Sequence, residues 1–230
     1  MRQLAPDLWI AESPLRFFGV ELGARMTVMR LDGSRLLVHS PIPARAELVR
    51  EVRGLGSVEL LVAPNLYHHL SVGDWHEAFP EASLYVAPGL QKKRPELRVA
   101  GVLGDEPEPA WASQVDQVLL RGIPATNEVV FFHRPSGTLV ASDLAFNIDR
   151  GSPPATRVAF RLAGAFGRLR PTFLERLLVR DRREFRRSLQ RILEWPIQRV
   201  VVAHGAVAEE NAKEELARGY SWLLGDGSSS

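Results

Sequence analysis

Short apolar runs separated by polar breaks dominate the chain, a pattern typical of β-strands joined by turns. In the first half, residues 26–31 and 35–40 flank an Asp32-Gly33 pair, which predicts a hairpin. Residues 58–63 are apolar almost throughout, as in a strand that is buried on both faces. Strands are predicted at residues 8–11, 26–31, 35–40, 58–63 and 84–87, with a short one near 99–103.

The second half adds a predicted hairpin and several helices. Residues 128–133 and 138–143 flank the turn Arg134-Pro135-Ser136-Gly137, which predicts two paired strands. Further strands are predicted at residues 115–120 and 200–203. Helices are predicted at residues 44–52, 71–79, 172–195 (as one long helix or two shorter ones) and 209–224. Ser71 and Asp74 are spaced like a capping box at the start of the second helix. The order of elements indicates an α/β protein.

Composition narrows the class of protein further. The chain has 230 residues, 45% of them hydrophobic and 24% charged, which fits one globular domain over residues 1–224 followed by a flexible tail at 225–230. No apolar run approaches the ~18 residues that span a bilayer, and no apolar stretch follows the N-terminus as in a signal peptide. We therefore expect a cytoplasmic protein without a membrane partner.

The candidate chemistry lies at strand ends. The chain contains no cysteine and six histidines, so a bound metal would need imidazole and carboxylate ligands. His68 and His69 follow one predicted buried strand, Asp143 ends the late hairpin, and His204 follows the last strand. Loops at strand ends are where α/β folds usually carry their ligands. These four residues are the candidate metal ligands.

In this order the hairpin that ends in Asp143 and the closing Ala203-His204-Gly205 motif resemble those of the metallo-β-lactamase-like superfamily. The chain also resembles an uncharacterised branch of that superfamily, which has no assigned reaction. The resemblance implies a four-layer αββα sandwich with a metal site at one edge.

The superfamily's metal motif is incomplete here. Aligned on His69 as its last histidine, the motif His-x-His-x-Asp-His places Pro64 and Leu66 at its first two histidine positions. The lone middle histidine of the family falls near Pro124. In two-metal members these three positions serve the first metal. The resemblance therefore implies a single ion at the second position, zinc by preference, with iron and manganese as alternatives. Its implied ligands are His68, His69, Asp143 and His204.

Three further residues are candidates for supporting roles. His39 ends a strand where the family has an aspartate that supports the metal loop through hydrogen bonds; the alternative is a plain strand-end histidine. Asn65 and Tyr67 flank the histidines and would hold an oxyanion or a water molecule, unless Asn65 serves the turn. Phe17-Phe18-Gly19 lies in an early loop that often overhangs the site in the superfamily, and it is either a lid or a core anchor.

These observations predict a metal-dependent hydrolase that acts on a small-molecule substrate, with Asp143 as a ligand or, if displaced, as the base. The alternative is a degenerate member of the superfamily that serves as a binding or scaffold module. A third hypothesis, nucleic-acid binding, rests on the many arginines of residues 157–191. A solvated helix face explains that run better, so we do not expect a nucleic-acid partner. The oligomeric state stays open.

Overall fold

The fold is built on two β-sheets. The structure is a computed structural model and describes residues 1–17 and 19–225, so Phe18 of the predicted lid and the predicted tail beyond Gly225 lie outside the described residues. The larger sheet has seven strands in the order β1-β2-β5-β6-β7-β8-β9. These strands are β1 (Arg2–Ala5), β2 (Leu8–Ser13), β5 (Ala24–Arg30), β6 (Arg35–His39), β7 (Ser57–Ala63), β8 (Ser83–Val86) and β9 (Gly101–Val102). A small separate ribbon pairs β3 (Arg16–Phe17) with β4 (Val20–Glu21).

The smaller sheet has four strands in chain order. They are β10 (Val115–Leu119), β11 (Val129–His133), β12 (Thr138–Val140) and β13 (Arg199–Val201). The predicted hairpin joins β11 to β12 through a 3-10 turn at Arg134–Ser136, and Gly137 supplies the positive φ that ends the turn. The last strand, β13, pairs in parallel with β12, which brings the ends of both strands to the same edge.

Helices cover the outer face of each sheet. They are α1 (Ala46–Leu55), α2 (Val72–Ala78), α3 (Leu90–Lys93), α4 (Pro154–Leu162), α5 (Phe173–Leu178), α6 (Arg182–Glu194), α7 (Ala212–Gly219) and α8 (Ser221–Leu224). The apolar core of the larger sheet includes Val52 of α1 and Trp75 of α2, and that of the smaller sheet includes Phe185 of α6 and Leu216 of α7. A third core lies between the two sheets. The layers are therefore α, β, β and α, which confirms the predicted sandwich.

The period-2 geometry of a strand explains the apolar runs. In β7, Leu60 and Val62 belong to the core between the sheets, whereas Leu61 and Ala63 belong to the outer core under the helices. Both faces are buried, so no polar alternation is needed. Each of the buried leucine and valine side chains stabilises the fold by about 1.5–3 kcal/mol relative to exposure.

Residues 172–195 form two helices, α5 and α6, which is one of the two predicted alternatives, because Asp181 begins a new helix by accepting the backbone N–H groups of Arg183 and Glu184. Other local predictions differ from the structure. The Ser71 side chain makes no capping hydrogen bond, so the predicted capping box is wrong. Helix α4 was not predicted.

No helix in the described part of the chain is long and apolar enough to span a membrane. The single-domain assignment of residues 1–224 stays a prediction.

Candidate metal centre

Backbone hydrogen bonds join the segments that follow β7, β12 and β13. Val129 N–H donates to the Pro64 carbonyl at 2.8 Å, which ties the loop after β7 to the start of β11. Ala203 N–H donates to the Ser142 carbonyl at 3.3 Å, which ties the segment after β13 to the one after β12. The strand ends that carry the predicted ligands are thus held at one edge of the sandwich.

At this edge His68, Asp143 and His204 form a group whose ligand atoms all lie within 4.8 Å of one another. The Nε2 atoms of His68 and His204 lie 3.3 Å and 3.5 Å from Oδ1 of Asp143. The two imidazole rings are 5.2 Å apart between centroids. Two imidazoles and a carboxylate are therefore directed at one small volume.

The remaining polar atoms of these three side chains are held by other parts of the chain. Nδ1 of His204 donates to the Gly23 carbonyl at 2.6 Å, so Nε2 is the ring nitrogen that faces Asp143 and would be available to a cation. Nδ1 of His68 lies 2.9 Å from Oγ of Ser40. Such bonds fix the orientation of the imidazole rings, as the outer partners of metal ligands commonly do.

Asn65 organises the loop that carries His68. Its Oδ1 accepts the backbone N–H groups of Tyr67 at 2.8 Å and His68 at 2.7 Å, and its Nδ2 donates to Oδ2 of Asp143 at 2.7 Å. The predicted role of Asn65 in holding an oxyanion or a water molecule is not what the structure shows, because both ends of its amide are engaged within the protein. Tyr67 is half exposed, and its ring lies 5.4 Å from the Lys93 ammonium.

His69 is not part of the group. Its Nδ1 lies 2.9 Å from the guanidinium of Arg94, the donor of this pair. Burial and the charges of Lys93 and Arg94 lower the pKa of His69. A guanidinium in contact with the ring would repel a metal cation. The predicted set of four ligands is therefore reduced to three in this structure.

His39 is buried, but Ser40 takes the supporting role predicted for it. Nε2 of His39 has no hydrogen-bond partner among the described residues, and the ring packs edge-on against Phe131 at 5.2 Å. The next residue, Ser40, has φ +53, and its hydroxyl contacts His68. The strand end was the correct place, but the contact comes from the neighbouring residue.

Glu128 is a site residue that was not among the predicted ones. Its carboxylate is 1% exposed and accepts the backbone N–H groups of Ser142 at 2.6 Å and Asp143 at 2.9 Å. Burial and the nearby charge of Asp143 raise the pKa of Glu128 to about 7. The available signal was a glutamate placed directly before the apolar run Val129–Phe132, where an acid is rarely buried without partners.

Arg25 holds the segment that contains His204. Its buried guanidinium donates to the carbonyls of Val202 and Gly205, and to Glu12 at 2.6 Å. Because Arg25 lies on β5, this contact joins the larger sheet to the segment after β13. Gly205 has φ +91, and a Cβ there would lie 2.2 Å from the Asn147 carbonyl oxygen, so only glycine fits.

The charge state of the group follows from its geometry. Burial alone would raise the pKa of Asp143, but the charge of His68 and hydrogen bonds from His204 and His68 outweigh it and hold that pKa well below its usual range. For His68, burial acts to lower the pKa, but Asp143 and Glu128 outweigh it and raise it. Asp143 is therefore a carboxylate at neutral pH, the form that a cation needs.

Comparison with known proteins agrees with this architecture. The model of a family described as "Domain of unknown function (DUF4336)" matches residues 6–166. A metallo-beta-lactamase from Pontibacter korlensis superposes with a TM-score of 0.66 at 12% identity, over 98% of each chain. A metallo-beta-lactamase from Hirschia baltica superposes with a TM-score of 0.64 at 10% identity, over 97% of this chain and 96% of the other. At these identities the likeness establishes the fold. No protein with a curated function matches the sequence.

Proposed function

The chain belongs to the DUF4336 family and has the metallo-beta-lactamase fold, and we propose that it is a hydrolase that uses one divalent metal ion held by His68, Asp143 and His204. One observation carries this proposal. Three donor atoms lie within 4.8 Å of one another, while the outward-facing atoms of the same side chains are bonded to the protein. The arrangement leaves one side of each group directed at a common point.

The donor set fits zinc. Two imidazole nitrogens and one carboxylate oxygen are ligands that zinc accepts, and iron or manganese would accept them too. Catalytic zinc sites keep three protein ligands and an open fourth position, whereas four protein ligands would close a tetrahedral site. The displacement of His69 from the group therefore favours a catalytic site over a structural one.

The sequence also supports a single ion. The superfamily's first-metal histidines correspond to Pro64, Leu66 and a position near Pro124, none of which offers a side-chain ligand. All three losses fall on one of the two metal positions. Random loss of ligands would be expected to affect both positions, so this clustering supports a site with one ion.

A bound divalent ion supplies the positive charge that lowers the pKa of a water molecule and polarises a carbonyl or phosphoryl oxygen. The protein's own groups orient the reactants and accept the proton. Oδ1 of Asp143 faces both imidazoles, while Asn65 anchors Oδ2, so Oδ1 would be the oxygen that binds the ion or, if displaced from it, the base that accepts the proton. We propose a small-molecule substrate, without assigning its class.

Metal uptake by matched variants tests the proposal. We expect about one equivalent of zinc per chain in wild type, with His68→Ala and His204→Ala each reducing uptake below about a tenth of an equivalent. His69→Ala, which alters a neighbouring histidine outside the group, retains it. Zinc at about 100 times its Kd adds about 2.7 kcal/mol of stability, which for a chain of this size raises the Tm by about 5–10 °C. Wild type without zinc uptake, or equal losses in all three variants, would contradict the assignment.

Hydrolysis is measured separately from uptake. Zinc-loaded wild type and Asp143→Asn are compared on chromogenic carboxylic and phosphoric esters, with zinc-loaded His69→Ala as the matched control. We expect activity in wild type and His69→Ala but a loss of at least about 100-fold in Asp143→Asn. Zinc uptake without hydrolysis of any ester would favour a binding module.

One observation favours that second candidate, a scaffold without catalysis. His68 and Asp143 already form an ion pair, with Nε2 and Oδ1 3.3 Å apart, so the group is electrostatically satisfied by the protein itself. A scaffold would show a Tm that is indifferent to zinc in wild type and in His68→Ala alike.

A further inference from the structure

Helices α4 and α5 expose large apolar side chains. Leu162 is 81% exposed and Leu177 is 75% exposed, and four more apolar residues of these helices are also exposed. The complete set is Val158, Leu162, Phe173, Leu174, Leu177 and Leu178, here named the α4–α5 surface. An exposed apolar group of this size on a globular protein usually marks an interaction site.

The members of the α4–α5 surface lie close to one another. Val158 and Leu162 are four residues apart on α4, as are Phe173 and Leu177 on α5, so each pair shares one helix face. Phe173 N–H donates to the Ala163 carbonyl at 3.1 Å, which joins the end of α4 to the start of α5. No residue of α5 is buried, so the protein's own core does not explain these leucines.

The surrounding segment is strongly basic. Residues 154–187 contain ten arginines and three acids. The acids serve local structure: Glu175 accepts from Thr172 at the start of α5, Asp181 caps α6, and Glu184 pairs with Arg187. The arginines are Arg157, Arg161, Arg168, Arg170, Arg176, Arg180, Arg182, Arg183, Arg186 and Arg187. The exposed leucines therefore belong to a stretch of the chain in which arginines far outnumber acids.

We propose that the α4–α5 surface binds the headgroup region of anionic lipid membranes, with its apolar side chains inserted and the arginines against the lipid charges. A second copy of the chain fits less well, because a twofold contact would place two arginine-rich segments against each other. Nucleic acid would pair with the arginines but would leave the apolar side chains exposed to water.

Such docking differs from membrane spanning. The expectation of no membrane partner rested on the lack of a spanning segment, which a surface-bound helix pair does not need. The surface also adjoins the candidate metal centre: Phe160 of α4 contacts Phe146 at 5.2 Å between centroids, and Phe146 stacks on His204 at 5.5 Å. Lipid docking does not depend on whether an ion binds.

Vesicle sedimentation with the full chain tests the proposal. We expect binding to vesicles of phosphatidylcholine with about one third phosphatidylserine, at least about tenfold weaker binding to phosphatidylcholine alone, and weakening as salt rises from 0.05 to 0.5 M. Leu162→Asp combined with Leu177→Asp should reduce binding at least about tenfold. Leu70→Asp, the same change at a side chain that is 71% exposed in the loop between β7 and α2 and is not a member of the α4–α5 surface, should not.

Several outcomes would overturn the proposal. Circular dichroism and thermal melting of each variant first exclude unfolding as the cause of lost binding. Absence of sedimentation with anionic vesicles rejects the proposal, as does an equal loss in Leu70→Asp. Dimers in analytical ultracentrifugation that the double variant abolishes, without vesicle binding, would assign the surface to a second copy. Binding to a DNA oligonucleotide without vesicle binding would assign it to nucleic acid.

Discussion

At the scale of single residues, Glu128 accepts the backbone N–H groups of Ser142 and Asp143. These two hydrogen bonds predict the effect of replacing its carboxylate. In Glu128→Gln one amide N–H would face the new NH₂ group and lose its acceptor, which costs about 1–3 kcal/mol when buried. We expect urea denaturation of the metal-free protein to show this loss, and zinc titration to show weaker affinity because Asp143 is less well held. Glu210→Gln, the same change at an exposed site, should alter neither value. Equal behaviour of the two variants would refute the role of Glu128.

The predicted site residues lie within one position in the chain of the residues that form the candidate site. The sequence did not show which of two adjacent residues, such as His68 and His69, faces the site. His68 and His69 are indistinguishable as a dipeptide, and what separates them is the Asn65 side chain, which accepts two backbone N–H groups and sets the direction of the loop. Arg94, 25 residues away in the chain, then engages His69. Contacts of this kind depend on tertiary structure, so they cannot be predicted from the spacing of apolar residues in the sequence.

At the scale of elements, the segment after β13 depends on a glycine. Gly205→Ala places a Cβ 2.2 Å from the Asn147 carbonyl oxygen at φ +91, so we expect it to reduce the free energy of unfolding by more than about 3 kcal/mol and to weaken zinc binding through His204. Gly164→Ala is the matched control, with φ +74 and no atom within 4 Å of the new Cβ. It should cost only about 1–2 kcal/mol. Urea denaturation compares the two, and similar losses would show that backbone conformation alone matters.

The predicted strands agree well with the structure because both sheets are buried on two faces, which produces the apolar runs seen in β7 and β11. The prediction failed for α4, where Val158 and Leu162 face solvent while Phe160 is buried, so apolar residues do not mark a single face. Helix capping contacts were also poorly predicted. Thr172 and Glu175 form a complete capping box that was not predicted, whereas Ser71 forms none.

At the scale of the whole molecule, buried histidines govern the response to acid. Burial lowers the pKa of His39 to about 3 and that of His133 to about 4, so the folded chain keeps them neutral while the unfolded chain binds protons below about 6.5. The free energy of unfolding of the metal-free protein should therefore fall as the pH decreases from about 6.5 to 4. Glu128 acts in the opposite sense: its raised pKa gives a contribution that is lost as the pH rises from about 4.5 to 7.

Replacing one buried histidine separates the contribution of the histidines to the pH dependence of stability from that of Glu128. In His133→Gln the fall in the free energy of unfolding between pH 6.5 and 4 should be smaller than in wild type by about 2–3 kcal/mol. Urea denaturation at several pH values measures it. Parallel curves for the two proteins would mean that His133 is not kept neutral by burial.

His68 and Asp143 are 75 positions apart in the chain and lie at the ends of strands in different sheets. The proposed ion would therefore act as a cross-link between the two halves of the sandwich, closing a loop of that length as a disulfide would. Separating the sheets would require the ion to lose a ligand first. Release of the ion and separation of the two sheets would then occur together. Under mechanical force, the sandwich would resist separation most strongly at the edge that carries the proposed metal site.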